Sequence, residues 1–288
     1  MSGHLARAGF PLSIYDVSDR AMEQLKSNHP DIRTCDSPAD VGAQSDIVIT
    51  MLPDGAQVQK AAIGSDGLIN SMKEGSILLD TSSAQPWLTI ETAAKLATRG
   101  IEMIDAPVSG AQWGAEEANL VFMVGGSLQN VEIVRPILDL LGRAVFHCGP
   151  LGSGHIMKCI NNTITAMTFL ATVEGLTLGK RAGLNPEAMN KVLNESTGGS
   201  WITLNHIEQR ILSRTFDDPF RLELMLKDIN IAGNLARNLE LPTPFFNHGA
   251  EVYESAHEHA GPGKSLSELA RWIEKLSQVD LTPGSLSA

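Results

Sequence analysis

The sequence predicts an α/β chain: a doubly wound parallel sheet followed by an all-α half built around one long helix. Three observations carry this expectation. Up to about residue 150, short β-branched or apolar runs alternate with helical patterns, as in a parallel sheet wound with helices. From Ile156 to Arg181 only Gly175 and Gly179 interrupt the composition of an otherwise helical period. Beyond that stretch every periodic segment reads as helix.

In chain order, the candidate strands are Leu12 to Tyr15, Asp46 to Met51, Ser76 to Leu79, Glu102 to Ile104, Leu120 to Val124 and Ala144 to His147. Helical stretches lie between them at Asp19 to Ser27, Gln85 to Thr98 and Leu128 to Leu141. Arg99-Gly100 and Leu141-Gly142 supply glycine where such helices stop. The long helix, of roughly 26 residues and about 40 Å at the α-helical rise, suits the spine of a second domain. Further helices are expected at Pro186 to Asn194, Ile202 to Leu212, Leu222 to Leu239, Thr243 to Ala256 and Leu266 to Leu276. Asn185-Pro186-Glu187 reads as an N-cap followed by proline at the first helical position. The join Gly149-Pro150-Leu151-Gly152-Ser153-Gly154 divides the chain into domains 1–150 and 151–288. The closing TPGSLSA is expected to fray.

Composition excludes several classes of function. The 288 residues carry 22 Lys plus Arg against 33 Asp plus Glu, a net charge of −11, and no basic cluster of the kind that neutralises nucleic-acid phosphates. No run approaches the ~18 apolar residues of a membrane span, and the start lacks the apolar stretch of a signal peptide. A cytoplasmic protein is therefore expected, with no nucleic-acid or membrane partner. Cys35, Cys148 and Cys159 are odd in number and form no CxxC pair, which suits reduced thiols. No HExxH occurs, and His257 and His259 are spaced wrongly for one helical face, so no metal site is expected.

Four segments could carry chemistry. Asp16 follows a strand directly; an acid there can accept hydrogen bonds from the adenosine ribose of a dinucleotide and repel a 2′-phosphate, or it can simply start a turn or cap the next helix. Thr50-Met51-Leu52-Pro53-Asp54 and Asp80-Thr81-Ser82-Ser83 end strands, where open parallel sheets place ligands and where ordinary turn chemistry also occurs. Asp105-Ala106-Pro107-Val108-Ser109-Gly110 offers a hydroxyl and backbone N–H groups suited to a carboxylate, or a tight turn with positive φ at Gly110. Gly154 to Asn162 opens the long helix and puts Lys158 and Asn162 on one face. The helix field disfavours a cation there and, with burial, tunes a lysine toward acid/base work, although a solvated lysine is the commoner arrangement.

Together these segments resemble the β-hydroxyacid dehydrogenase family, which includes 3-hydroxyisobutyrate dehydrogenase and tartronate semialdehyde reductase. DAPVSG, followed by GA and FMVGG, is similar to the family's substrate-binding signature, and GSGHIMKCINN to its catalytic signature. Leu224-Met225-Leu226-Lys227-Asp228 is similar to its second lysine motif. The resemblance spans nearly the whole chain and implies a Rossmann-like first domain, with a helical domain serving catalysis and oligomerisation.

The resemblance also implies roles. Lys158 matches the catalytic general acid/base, and Asn162 a residue holding the same substrate oxygen or its neighbour. Ser109 and Gly110 match the carboxylate-binding pair. Met51, Leu52, Pro53 and Thr81 match positions lining the cofactor, and Asp16, read from its place after a strand, is expected to join them. Lys227 matches a lysine touching the cofactor, and Asp228, grouped with it, could orient a catalytic-site side chain. The expected cofactor is NAD in preference to NADP, and the expected substrate a small hydroxy acid or semialdehyde. Homo-oligomers, dimer or tetramer, are expected. The leading expectation is a dehydrogenase of a 3-hydroxyisobutyrate-like acid. The alternatives are tartronate semialdehyde reduction and a non-catalytic oligomeric scaffold.

The scaffold alternative arises from one departure. The family opens with a strand and a GxGxxG loop for the cofactor pyrophosphate, whereas Met1 to Gly9 resembles the end of the helix that follows that loop. The absent part corresponds to roughly a dozen residues, and a misassigned start codon is the expected cause. Without that strand, two buried sheet edges lack partners, so the chain as written is expected to be poorly stable and to bind NAD weakly. Glu117-Ala118-Asn119-Leu120 departs from the usual Gly-Thr-Leu, and Ala111 replaces a frequent glycine, read as a small change.

Overall fold

The computed structural model describes residues 1–283. It divides into two compact units, Met1–Lys158 and Cys159–Ala288. The first unit contains α1 (Ser2–Arg7), β1 (Ser13–Ile14), α2 (Asp19–Asn28), β2 (Arg33–Thr34), α3 (Pro38–Ala43), β3 (Ile47–Thr50), α4 (Gly55–Ile63) and β4 (Ile77–Asp80). It continues with α5 (Pro86–Ala97), β5 (Glu102–Asp105), β6 (Val108–Ser109), α6 (Ala111–Glu116), β7 (Leu120–Gly125), α7 (Leu128–Leu141) and β8 (Gly142–Gly149). The chain then enters α8 (Ser153–Arg181).

The sheet is covered on both faces because successive strand residues point to opposite sides. Ile77 and Leu79 of β4 pack with Ile104, Phe122 and Val124 against Leu5 of α1 and Val131, Val134 and Leu138 of α7. Leu78, between them, packs with Val48 and Met103 against Val41, Val58, Ala62 and Leu96 of α3, α4 and α5. All four residues of β4 are buried, as expected of a strand covered on both faces.

Strands β3, β4 and β5 are parallel, but β7 runs antiparallel to β5 and β6, and β8 returns parallel to β7. The sheet is thus parallel through β3, β4 and β5, as the alternation predicts, with an antiparallel course beyond β5. The segment between β6 and β7 holds only the six-residue helix α6, shorter than a parallel crossover requires, so the chain reverses there. Strands β1 and β2 form a separate two-stranded parallel sheet, and β3 is an edge of the six-stranded sheet. A cleft of about 400 Å³, lined by Leu12, Ile14, Ile47 and Ile49 among others, lies against both.

The second unit continues α8 with α9 (Pro186–Asn194), a π-helical segment Thr203–Leu212, α10 (Leu222–Asn238), α11 (Pro244–Ala260) and α12 (Glu268–Ser277). Asn185 caps α9 through Ala188 N–H at 2.9 Å, as its sequence predicts. The stretch expected as an α-helix over Ile202 to Leu212 is instead widened. The Asn190 and Asn194 amides donate to the Thr203 carbonyl at 3.1 and 3.2 Å, diverting the acceptor that an α-helical ladder would use. Phe169, Leu170 and Val173 of α8 pack with Ile207, Ile211, Met225, Tyr253 and Leu269 in one core. Of the tail expected to fray, Thr282 accepts from Lys180 Nζ at 3.3 Å through its carbonyl, while residues 284–288 lie outside the described residues.

Candidate active site

The C-terminal ends of β3 and β4 are stitched together by short polar side chains. Thr50 Oγ1 donates to Asp80 Oδ1 at 2.9 Å, and the buried Thr81 hydroxyl donates to the Thr50 carbonyl at 2.6 Å. Thr81 therefore directs its hydroxyl proton into the sheet. Ser82 Oγ accepts from Leu52 N–H at 2.9 Å and so fixes the Met51-Leu52-Pro53 turn. Asp54 then caps α4 through Gln57 N–H, and Met51 remains exposed.

Asp16 follows β1 with its carboxylate exposed, and its Oδ1 accepts from Ser18 N–H at 2.8 Å. The cap of α2 is Ser18, so Asp16 organises the turn without capping the helix. The 400 Å³ cleft brings Tyr15 and Asp16 together with Thr50, Met51 and Leu52. Their chemistry fits a dinucleotide at its ribose and strand-end contacts: an exposed acid for hydroxyl donors, beside an apolar wall. The pyrophosphate cradle is the part that these residues do not supply.

At the carboxylate-binding candidate, Ser109 pairs with Val121 across β6 and β7, and Gly110 adopts φ +132°. The tight-turn requirement at Gly110 is thus present. Ala111 has φ +55°, a left-handed conformation that costs a non-glycine residue roughly 1–2 kcal/mol. Its replacement of a glycine is accordingly more than the small change expected.

Lys158 and Asn162 lie one turn apart on the continuous helix α8, and both are buried. A solvated Lys158 is thereby excluded. Asn162 Nδ2 donates to Asp228 Oδ2 at 2.5 Å, while Lys227 Nζ lies 3.1 Å from Asp228 Oδ1. Asp228 is buried with both oxygens engaged, one by the Asn162 amide and one by Lys227. Burial, reinforced by the Asp228 charge, pushes the Cys159 thiol up to about 12, which leaves it protonated and unreactive.

Sequence reasoning assigned no role to Asp80, Asp105 or His155, although all three lie inside the motifs it quoted. Each is buried where the strand ends meet the start of α8. Their signal was a charged or titratable residue immediately beside a glycine-rich or hydroxyl-rich turn, which local pattern alone cannot tell from an N-cap.

Comparison with known proteins defines the family. Residues 1–149 match the family model described as the NAD binding domain of 6-phosphogluconate dehydrogenase. Residues 152–273 match that described as NAD-binding of NADP-dependent 3-hydroxyisobutyrate dehydrogenase. Fold and matches define an NAD(P)-dependent dehydrogenase of 3-hydroxy acids, an enzyme rather than a scaffold. The chain belongs to the β-hydroxyacid dehydrogenase family.

Among its relatives is the 2-(hydroxymethyl)glutarate dehydrogenase of Eubacterium barkeri, 28% identical over 284 residues, covering 99% of this chain and 94% of the relative. The mitochondrial 3-hydroxyisobutyrate dehydrogenase of Rattus norvegicus is 31% identical, covering 96% of this chain and 83% of its own. A solved structure of the Mycobacterium tuberculosis 3-hydroxyisobutyrate dehydrogenase with L-serine has a TM-score of 0.86 at 25% identity, covering 94% of each chain. Among the described residues no helix is long and apolar enough to cross a membrane.

Proposed function

We propose that the protein interconverts a small 3-hydroxy carboxylic acid of the 3-hydroxyisobutyrate type and its semialdehyde, with NAD as cofactor and Lys158 as general acid/base. The observation that carries this reading is the pair on α8: a buried lysine one turn from a buried asparagine whose amide is held by Asp228. A buried lysine is costly unless it has work to do, and proton transfer to a substrate oxygen is work that this residue type performs.

In oxidation, Lys158 Nζ takes the substrate hydroxyl proton; in reduction it returns a proton to the carbonyl oxygen. Asn162 holds the same oxygen or its neighbour. Ser109 Oγ and the Gly110 N–H bind the substrate carboxylate and so leave the β-carbon as the reacting position. Bound NAD supplies a hydride acceptor at nicotinamide C4. Asp16 receives the adenosine ribose hydroxyls, which favours NAD over NADP, while Met51, Leu52 and Pro53 line the cofactor and Lys227 contacts it. Residues 1–150 thus serve the cofactor, and residues 151–288 serve catalysis and oligomerisation.

The test is Lys158→Ala. Turnover with 3-hydroxyisobutyrate should fall at least ~100-fold while NADH affinity, read by fluorescence titration, is preserved. Unchanged turnover would refute the role. A panel including L-serine and tartronate semialdehyde ranks the substrate for the native enzyme.

A further inference from the structure

Helix α8 begins at a glycine that has no side chain to cap it. Gly152 precedes the helix, and its carbonyl accepts the first helical bond, from Ile156 N–H at 3.0 Å, so it stands at the capping position. The capping oxygens come instead from β5. Asp105, fully buried at the end of that strand, accepts from Gly152 N–H through Oδ1 at 2.7 Å and from His155 N–H through Oδ2 at 2.8 Å. The His155 N–H, three residues past the capping position, is a donor that a local serine or aspartate would ordinarily take.

Glycines let the helix start approach this carboxylate. Asp105 pairs with Gly125 across β5 and β7. A Cβ at Gly125 would collide with Asp105 Oδ1. One at Gly154, in the first turn of α8, would collide with the Met123 carbonyl oxygen of β7 and stand 2.8 Å from Asp105 Oδ2. The start of α8 therefore rests directly on the ends of β5 and β7.

The same strands hold the Ser109-Gly110 turn. Asp105 leads into it through Ala106 and Pro107, the Met123 N–H donates to the Pro107 carbonyl at 3.1 Å, and Ser109 pairs with Val121. Strand β7 thus carries Ser109 at Val121 and the start of α8 at Met123 and Gly125, within about 13 Å of extended chain. Lys158 follows His155 by three residues of continuous helix, about 4.5 Å along its axis.

We propose that Asp105 is a positioning residue that sets substrate selectivity: by seating α8 on β5 and β7 it fixes the span between the Ser109-Gly110 turn and Lys158, and so selects acids with the hydroxyl on carbon 3. The proposal rests on the reading of Lys158 as the general acid/base and of Ser109-Gly110 as the carboxylate holder. With the carboxylate held at one end of a fixed span, a hydroxyl on carbon 2 falls short of Lys158 and one on carbon 4 overshoots it. A loosened helix start admits both and penalises the 3-hydroxy acid, because a misplacement of about 1 Å can cost on the order of 100-fold in rate. Loss of folded protein lowers activity on all acids alike, so selectivity separates positioning from a purely structural role.

The test is Asp105→Asn, which keeps the size of the side chain but offers one acceptor in place of two. Its kcat for 3-hydroxypropionate should fall roughly 10–100-fold with KM for NAD unchanged, and the kcat/KM preference for that acid over lactate and 4-hydroxybutyrate should shrink roughly 10-fold. An unchanged preference overturns the proposal, whatever the loss of kcat. Asp105→Glu keeps both acceptors on a side chain one methylene longer and should move the preference toward 4-hydroxybutyrate; wild-type preference in this variant overturns the proposal as well. If neither variant folds, hydrogen exchange in the wild-type protein decides: the Gly152 and His155 amides should exchange as slowly as those of β4, and exchange at the rate of exposed amides overturns the anchor. If Lys158→Ala retains full turnover, the acid/base reading fails on its own evidence, while the amide exchange still reports on the anchor.

Discussion

Acidification should weaken the helical half through His206. This side chain is buried in the π-helical segment, meets Phe169 edge-on with ring centroids 4.9 Å apart, and has Nε2 3.2 Å from Ser267 Oγ. Burial, with the Arg210 guanidinium as a lesser cause, pushes the imidazole down from 6.5 to about 4. The unfolded chain gains its proton near pH 6.5, while the folded chain resists until about 4. In that window the unfolded state binds more protons, so stability falls with falling pH; it is fully present above the unfolded value. At 1.36 kcal/mol per pH unit the contribution is roughly 3 kcal/mol. Asp218 opposes it. Its Oδ2 lies 3.4 Å from His206 Nδ1, and burial raises its carboxyl, so the folded state takes up a proton there before the unfolded state does. The net loss is smaller than the His206 contribution alone. Urea denaturation followed by tryptophan fluorescence between about pH 7.5 and 4.5 measures it, with His206→Gln as the non-titrating reference. Wild type should lose its advantage over the variant as the pH falls. Parallel stability curves for the two proteins would refute the reasoning.

Two further perturbations address the site's supports. Ala111→Gly relieves a left-handed alanine, and after the entropy cost of glycine a gain of roughly 0.5–1 kcal/mol should appear as a higher urea midpoint with an unchanged slope. Asp228→Asn weakens the hold on the Asn162 amide and removes the charge facing Lys227. Stability should drop by roughly 1–3 kcal/mol, and kcat should fall more than KM for NAD rises, as steady-state kinetics at fixed substrate would record.

Much of the fold was legible because hydrophobic period and turn chemistry are local properties. The run from Ile156 to Arg181, the Asn185 cap and the helix Leu128–Leu141 all follow from neighbours a few residues away. The short elements were not. Arg33–Thr34 and Val108–Ser109 have two residues each and are strands only because a partner lies beside them. The antiparallel course of β7 depends on how the chain returns from α6, which no pattern within β7 records.

The same division runs through the site. The sequence by itself determined which chemical groups this protein has to work with: Lys158 and Asn162 one turn apart, a Ser109-Gly110 turn and an acid at Asp16, each set by spacing along the chain. Only the tertiary structure decided what those groups face. It turned the Thr81 hydroxyl inward, locked Asp228 onto Asn162, and gathered Asp80, Asp105 and His155 under the start of α8. The physical reason is that hydrogen-bond partners and desolvation come from residues distant in sequence: His155 meets Asp80 and Asp105 across 75 and 50 positions of chain. Local spacing can bring a side chain to a helix face, but its partners there are supplied by the rest of the fold.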